Sequence, residues 1–224
     1  MADFTIVIGN KNYSSWSLRP WLVLKQTGAA FDEVVVPLDM PDTAQNILRH
    51  SPSGRVPALK HNGITVWDSL AIAEYLHELF PDRGLWPTER AARAHARSIS
   101  AEMHSGFSAL RTHHPMRIRT IEAPRDLRPD VEQDLKRINT IWTDCRRTFG
   151  KTGGPFLFGG FTIADAMFAP VVTRLRSYSI GFTGPAGEYA DALWDHPHLR
   201  EWVAAAKAET YAAPIHEKWP PIAG

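Results

Sequence analysis

Three short stretches of this chain carry side chains whose type and spacing can do chemistry. The first is Asn12-Tyr13-Ser14-Ser15-Trp16-Ser17-Leu18-Arg19, where serines stand at the entrance to a run that puts Leu18, Trp21 and Leu22 on one helical face. A hydroxyl there caps the helix, and for an arbitrary Ser-Ser pair before a helix capping is a sufficient explanation. The same hydroxyl can donate to a bound anion such as a thiolate, whose pKa the helix partial charge lowers further. The second stretch, Arg55-Val56-Pro57, precedes the apolar run 58–60, and a proline fits a strand only at its start or edge. The third, Asp68-Ser69, opens a run with Leu70, Ile72, Ala73, Leu76 and Leu79 at helical spacing, so these two residues stand where free N–H groups suit a carboxylate ligand.

Other clusters have plainer readings. His113-His114 and His196-Pro197-His198 lack carboxylates or cysteines at fixed offsets, and His-Glu-x-x-His is absent, so no metal is expected. The glycine-rich segment 150–160 lacks the Gly-Lys-Ser/Thr ending of a phosphate-binding loop, and turn formation explains it. Arg117, Arg119, Arg125 and Arg128 form a basic irregular loop able to steer an anionic substrate. The 25 Lys plus Arg balance 24 Asp plus Glu, which gives no reason to expect nucleic acid or a membrane surface as partner. The single Cys145 excludes an internal disulfide framework and any Cys-x-x-Cys pair, and its place in an amphipathic run reads as a buried thiol in a reducing compartment. No signal-peptide pattern precedes Phe4 and no apolar run approaches the roughly 20 residues that span a bilayer, so a soluble cytoplasmic protein is expected.

The elements that must position these residues read as follows. Phe4 to Gly9 is a buried first strand, and Ser14 or Ser15 is the N-cap of the helix after it. A second strand runs from Phe31 to Val36, and a weak helix over 42–50 ends before Ser51-Pro52. Runs 58–60 and 64–67 flank Asn62-Gly63, a strong hairpin signal, and the helix from Asp68-Ser69 follows at once. This is the βαβαββα order of a thioredoxin-like domain over residues 1–80, an α/β unit. The Pro/Gly-rich connector 81–88 reads as a linker, and residues 89–224 as an all-α domain. Its expected helices are 89–111, with Ile99, Met103, Phe107 and Leu110 on one face; 130–149, capped by Asp130; one from Phe161, where Thr162 and Asp165 have capping-box spacing; and 198–209. Tyr211 and Trp219 are expected to anchor a surface-packed tail.

Val56-Pro57, Asp68-Ser69, Ser14-Ser15-Trp16-Ser17-Leu18-Arg19 and the Gly-x-Thr-x-Ala-Asp pattern at 160–165 together resemble the glutathione transferases, and the serine stretch is similar to the Ser-Ser-Cys-x-x-Arg signature of their zeta class, whose best-known members are maleylacetoacetate isomerases. The resemblance implies that Arg55, Val56, Pro57 (with a cis bond), Asp68 and Ser69 hold glutathione, that Ser14 activates its thiol with Ser15 as rival, and that the second substrate is a small electrophile. It further implies a homodimer, and a second-substrate pocket drawn from Tyr13, Trp16, Met103, His104, Phe107 and Arg111. Arg174 and Arg176 lie near the position of a substrate-carboxylate arginine in that class, and Arg176 joins the pocket candidates. A glutathione-dependent cis–trans isomerase of the maleylacetoacetate type is the alternative within the family, and Trp16, standing where the zeta signature has cysteine, counts against it. A non-enzymatic glutathione-binding or scaffold protein on the same fold is the alternative of another class.

Overall fold

The computed structural model describes residues 3–150 and 153–211. The expected position of Trp219 lies outside them. Strands β1 (Phe4–Gly9), β2 (Phe31–Val36), β3 (Ala58–His61) and β4 (Ile64–Val66) form one sheet in the order β2-β1-β3-β4. β1 and β2 run parallel, and β3 is antiparallel to both β1 and β4. Asn62 and Gly63 both take positive φ in the two-residue turn, the conformation that Asn-Gly tolerates and most residues do not. Helices α1 (Ser15–Thr27), α2 (Thr43–Leu48) and α3 (Ser69–Leu79) complete a thioredoxin-like domain.

After a 3-10 turn at Pro81–Arg83 the regular elements among the described residues are helices, with isolated bridges at Phe156–Gly159 and Phe158–Gly160. The helices are α4 (Arg90–Ser105), α5 (Ser108–His113), α6 (Pro129–Thr148), α7 (Ile163–Ser177), α8 (Gly184–Trp194) and α9 (Pro197–Ala208). The single helix expected over 89–111 is two. Gly106 is extended and Phe107 left-handed, and a Cβ at Gly106 would meet the Glu102 carbonyl oxygen at 2.8 Å. Asp130 does not cap α6: Arg128 is the N-cap because Pro129, with its φ preset, takes the first helical position. Helix α8 has no counterpart in the sequence reading, since Gly184, Pro185 and Gly187 mask the periodicity of Ala186, Tyr189, Ala190 and Leu193.

Helix α7 is the centre of the second domain, buried along most of its length and packed on α1, α4 and α8. Its start is a complete capping box: Asp165 accepts from Thr162 N–H at 2.7 Å, Thr162 Oγ1 at 2.9 Å and Leu157 N–H at 3.1 Å. The two domains are tied at several points. Arg19 Nε donates to the Met167 carbonyl at 3.0 Å, Ile163 N–H to the Leu85 carbonyl at 2.9 Å, and His104 Nε2 meets Asp68 Oδ2 at 3.0 Å. No described helix is long and apolar enough to cross a membrane.

Candidate active site

The cleft between the domains has two lobes that share Trp16, Arg55 and Val56. The outer lobe, about 510 Å³, is lined by Ser53, Pro57, Trp67, Asp68, Ser69 and His104 as well. The Val56–Pro57 bond is cis, as is Trp67–Asp68. Asp68 caps α3 through Oδ1, accepting from Leu70 N–H at 3.1 Å and Ala71 N–H at 3.4 Å, while Oδ2 faces His104. The first N–H groups of a helix have no intrahelical partner, so with Leu70 and Ala71 taken by the cap, that of Ser69 is left for a ligand. Ser69 Oγ is buried without a hydrogen-bond partner among the described residues, which is costly unless a ligand completes it.

The inner lobe, about 410 Å³, is lined by Tyr13, Ser14, Ser15, Leu38, Arg111 and Arg174 among others. Ser14 is the N-cap of α1, its Oγ accepting from Ser17 N–H at 3.4 Å and donating to Ser17 Oγ at 2.7 Å. Ser17 Oγ also accepts from Gly9 N–H at 3.1 Å. Ser15 Oγ makes no hydrogen bond among the described residues and opens onto the lobe. The Tyr13 hydroxyl accepts from Arg119 at 3.0 Å, so it is held by the protein on that side.

Cations dominate this lobe. Arg174, almost fully buried, donates to the carbonyls of His114 at 2.7 Å and Pro170 at 2.9 Å, and Arg111 donates to those of Gly106 and Met103. Burial, and after it the charge of Arg111, lowers the pKa of Arg174 to about 9, and burial lowers that of Arg111. Neither forms an ion pair among the described residues, and no carboxylate lines the lobe. Trp16 lies between Arg19, 4.4 Å from its ring centroid, and Arg111 at 4.7 Å, with the His104 ring edge-on at 5.2 Å. The indole in the cysteine position thus covers the fully buried Arg19, whose terminal nitrogens have no other partner.

The cleft therefore gathers Ser14, Ser15, Tyr13, Trp16, Arg55, Val56, Pro57, Asp68, Ser69, His104 and Arg111. Three candidates fall elsewhere. Met103 and Phe107 are core residues, and Arg176 points to the outer side of α7, where it pairs with Asp191 at 2.5 Å. Of the two arginines named from the sequence near a substrate-carboxylate position, Arg174 is the one that lines the cleft, and Ser17, bonded to Ser14, was not singled out. Ser17 was detectable as the residue three after the N-cap, where a cap's side chain bonds back. Among the described residues no group of three or more His, Cys, Asp or Glu is placed to hold a metal.

Family models described as the glutathione S-transferase N-terminal and C-terminal domains match residues 13–79 and 122–205. A mouse protein named maleylacetoacetate isomerase is 38% identical over 172 residues, covering 74% of this chain and 75% of that protein. This chain belongs to the glutathione S-transferase family. A Caenorhabditis elegans protein named probable maleylacetoacetate isomerase is 35% identical over 96 residues, 43% of this chain and 44% of that protein. Among solved structures, a glutathione transferase homolog from Burkholderia gl BGR1 with bound glutathione superposes with a TM-score of 0.68 at 24% identity, over 93% of this chain and 100% of that one. At that identity the likeness concerns the fold of the transferase, not its site.

Proposed function

We propose that this protein is a glutathione transferase that holds glutathione in the outer lobe and presents its thiolate to an acidic electrophile in the inner one. The observation that carries the reading is the start of α3, where Ser69, with a buried Oγ unpaired among the described residues and an N–H the Asp68 cap does not take, faces the cis-Pro57 segment across the outer lobe. Ser69 and its N–H would take the γ-glutamyl carboxylate, Asp68 the neighbouring amine, and the Val56 backbone the cysteinyl unit, with Arg55 at the rim. Ser14, with Ser15 beside it, would donate to the thiolate. Lowering the thiol pKa by about two units needs about 2.7 kcal/mol, within reach of a hydroxyl bond plus a helix terminus.

Arg111 and Arg174 support an electrophile bearing a carboxylate, because two guanidiniums that line the lobe without an ion-pair partner there attract a matching anion. The same pair favours a second reading, cis–trans isomerisation of an unsaturated dicarboxylic acid: thiolate addition to the double bond, rotation, and elimination. The mouse relative's name points the same way. We further infer a cytoplasmic homodimer with a detoxifying role, its domains divided at 81–88. Exposed Ile64 and Trp67 at the β4 edge suit a dimer contact, and the lone buried Cys145 suits a reducing compartment.

The test is an ultraviolet difference titration of bound glutathione in wild type, Ser14→Ala and Ser15→Ala. A thiolate band at or below pH 7 that is lost in one variant supports an activated-thiol enzyme and names its serine. Glutathione bound with an ordinary thiol pKa, or not bound at millimolar concentration, moves the protein to the binding or scaffold class.

A further inference from the structure

We infer that Ser17 is a positioning residue for thiol activation, acting through a hydroxyl relay that makes Ser14 the donor to the thiolate; the inference rests on the glutathione transferase reading. Each serine oxygen has two lone pairs and one rotatable hydrogen, so the pair can be counted completely. As it stands, Ser17 Oγ accepts from both Gly9 N–H and the Ser14 hydroxyl, which fills its acceptors. Its own hydrogen then has no acceptor among the described residues, although Ser17 is fully buried. Ser14 meanwhile directs its hydrogen inward, away from the lobe it lines.

The relay requires both hydroxyls to turn, so that the 2.7 Å bond, which runs from Ser14 to Ser17 in the free protein, reverses when the thiolate arrives. Ser17 then donates to Ser14 and still accepts from Gly9. Ser14 Oγ accepts from the Ser17 hydroxyl and the Ser17 N–H, and its own hydrogen points into the inner lobe. Every group in this arrangement is satisfied once an anion sits in that lobe. A hydroxyl that accepts two bonds is also polarised and becomes a stronger donor. The relay thus couples arrival of a thiolate to release of the Ser14 hydrogen, and it disfavours a neutral thiol, which has little to offer as an acceptor. Gly9 closes β1 and Ser14 opens α1, so the device is anchored in the strand-to-helix turn rather than in a mobile loop.

The experiment measures the pKa of protein-bound glutathione and the acid limb of kcat/KM in wild type, Ser17→Ala, Ser14→Ala and the double variant. Ser17→Ala is expected to raise the thiol pKa by about one unit and move the acid limb with it, leaving glutathione affinity within about twofold. In the Ser14→Ala background the same substitution is expected to add nothing, because its route is gone. Where Ser17→Ala does not fold, Ser17→Cys keeps a weaker hydrogen-bonding group on the same stem and a smaller rise is expected. An unmoved thiol pKa in Ser17→Ala, or an equal effect in both backgrounds, overturns the relay and leaves thiol activation standing. A wild type without thiolate near neutral pH overturns both.

Discussion

Helices α3 and α7 begin with the same kind of parts and use them differently. At α7 the cap and the third residue, Thr162 and Asp165, are buried and bonded to each other and to Leu157, so both carboxylate oxygens of Asp165 are used inside the protein. At α3 the capping carboxylate of Asp68 is half exposed, and next to it Ser69 keeps a buried hydroxyl with no partner. A helix start closed on itself stabilises a fold; one left incomplete at a cleft is complementary to a ligand. Removing the side chain should therefore cost stability in one place and binding in the other.

The largest effect is expected from Asp165→Ala. It strips the cap and leaves the N–H groups of Leu157 and Thr162 buried without acceptors, a loss of about 3 to 5 kcal/mol in a urea unfolding curve. Asp68→Ala, at the exposed cap, should cost only about 1 kcal/mol while weakening glutathione by roughly 10- to 100-fold. Equal stability losses in the two variants would break the contrast.

Acid sensitivity extends the contrast to titratable groups. Around α7 the protein buries His114 with both ring nitrogens unpaired, and burial pushes its pKa down to about 4. His196 is likewise lowered to about 4, whereas burial of Asp165 outweighs its hydrogen bonds and raises its pKa to about 6. A histidine held neutral in the fold binds fewer protons than the unfolded chain, so its contribution is whole above pH 6.5 and is lost as pH falls toward 4. Asp165 acts in the opposite sense between about pH 6 and 4, since its protonation relieves a buried charge. Two histidines against one carboxyl leave a net loss in acid. His114→Leu should reduce that loss by roughly 3 kcal/mol between pH 7 and 4, read from unfolding curves at each pH. An unchanged acid slope would show that His114 finds a proton acceptor in the fold.

How much of this was legible in the sequence follows the same division between local and distant. The hairpin at Asn62-Gly63, the start of α3 and the Thr162–Asp165 box are each written within a few consecutive residues and form as read, and of the two serines offered as the cap of α1 the structure uses Ser14. The inner lobe is assembled from the start of α1, Leu38, Ile47, residues 54–56, α5 with the turn after it, and the last turn of α7. Arg174 is buried there because its backbone partners, the carbonyls of His114 and Pro170, compensate its N–H groups, and the His114 contact crosses 60 residues. The loop ahead of Ser14 is held from still farther: the Glu209 carboxylate accepts the N–H groups of Lys11 and Asn12, 198 and 197 residues away. Arg176 differs from Arg174 by two positions, more than half a turn, and that rotation alone sends it to the opposite side of α7.

The smallest expected effect is the most discriminating, because its two parts have opposite signs. Ser69→Ala deletes a buried hydroxyl that no protein group satisfies, so the free protein should be unchanged or more stable by up to about 1 kcal/mol. The same deletion removes a donor to the glutathione carboxylate, and affinity measured by calorimetry should fall by about 2- to 10-fold. A structural hydroxyl would lower both quantities together, and a merely tolerated one would leave affinity alone. Only a group kept unsatisfied for a ligand stabilises the free protein by its removal while weakening the complex. The outcome therefore decides whether the start of α3 is incomplete by design of the cleft or an imperfect version of the closed start of α7.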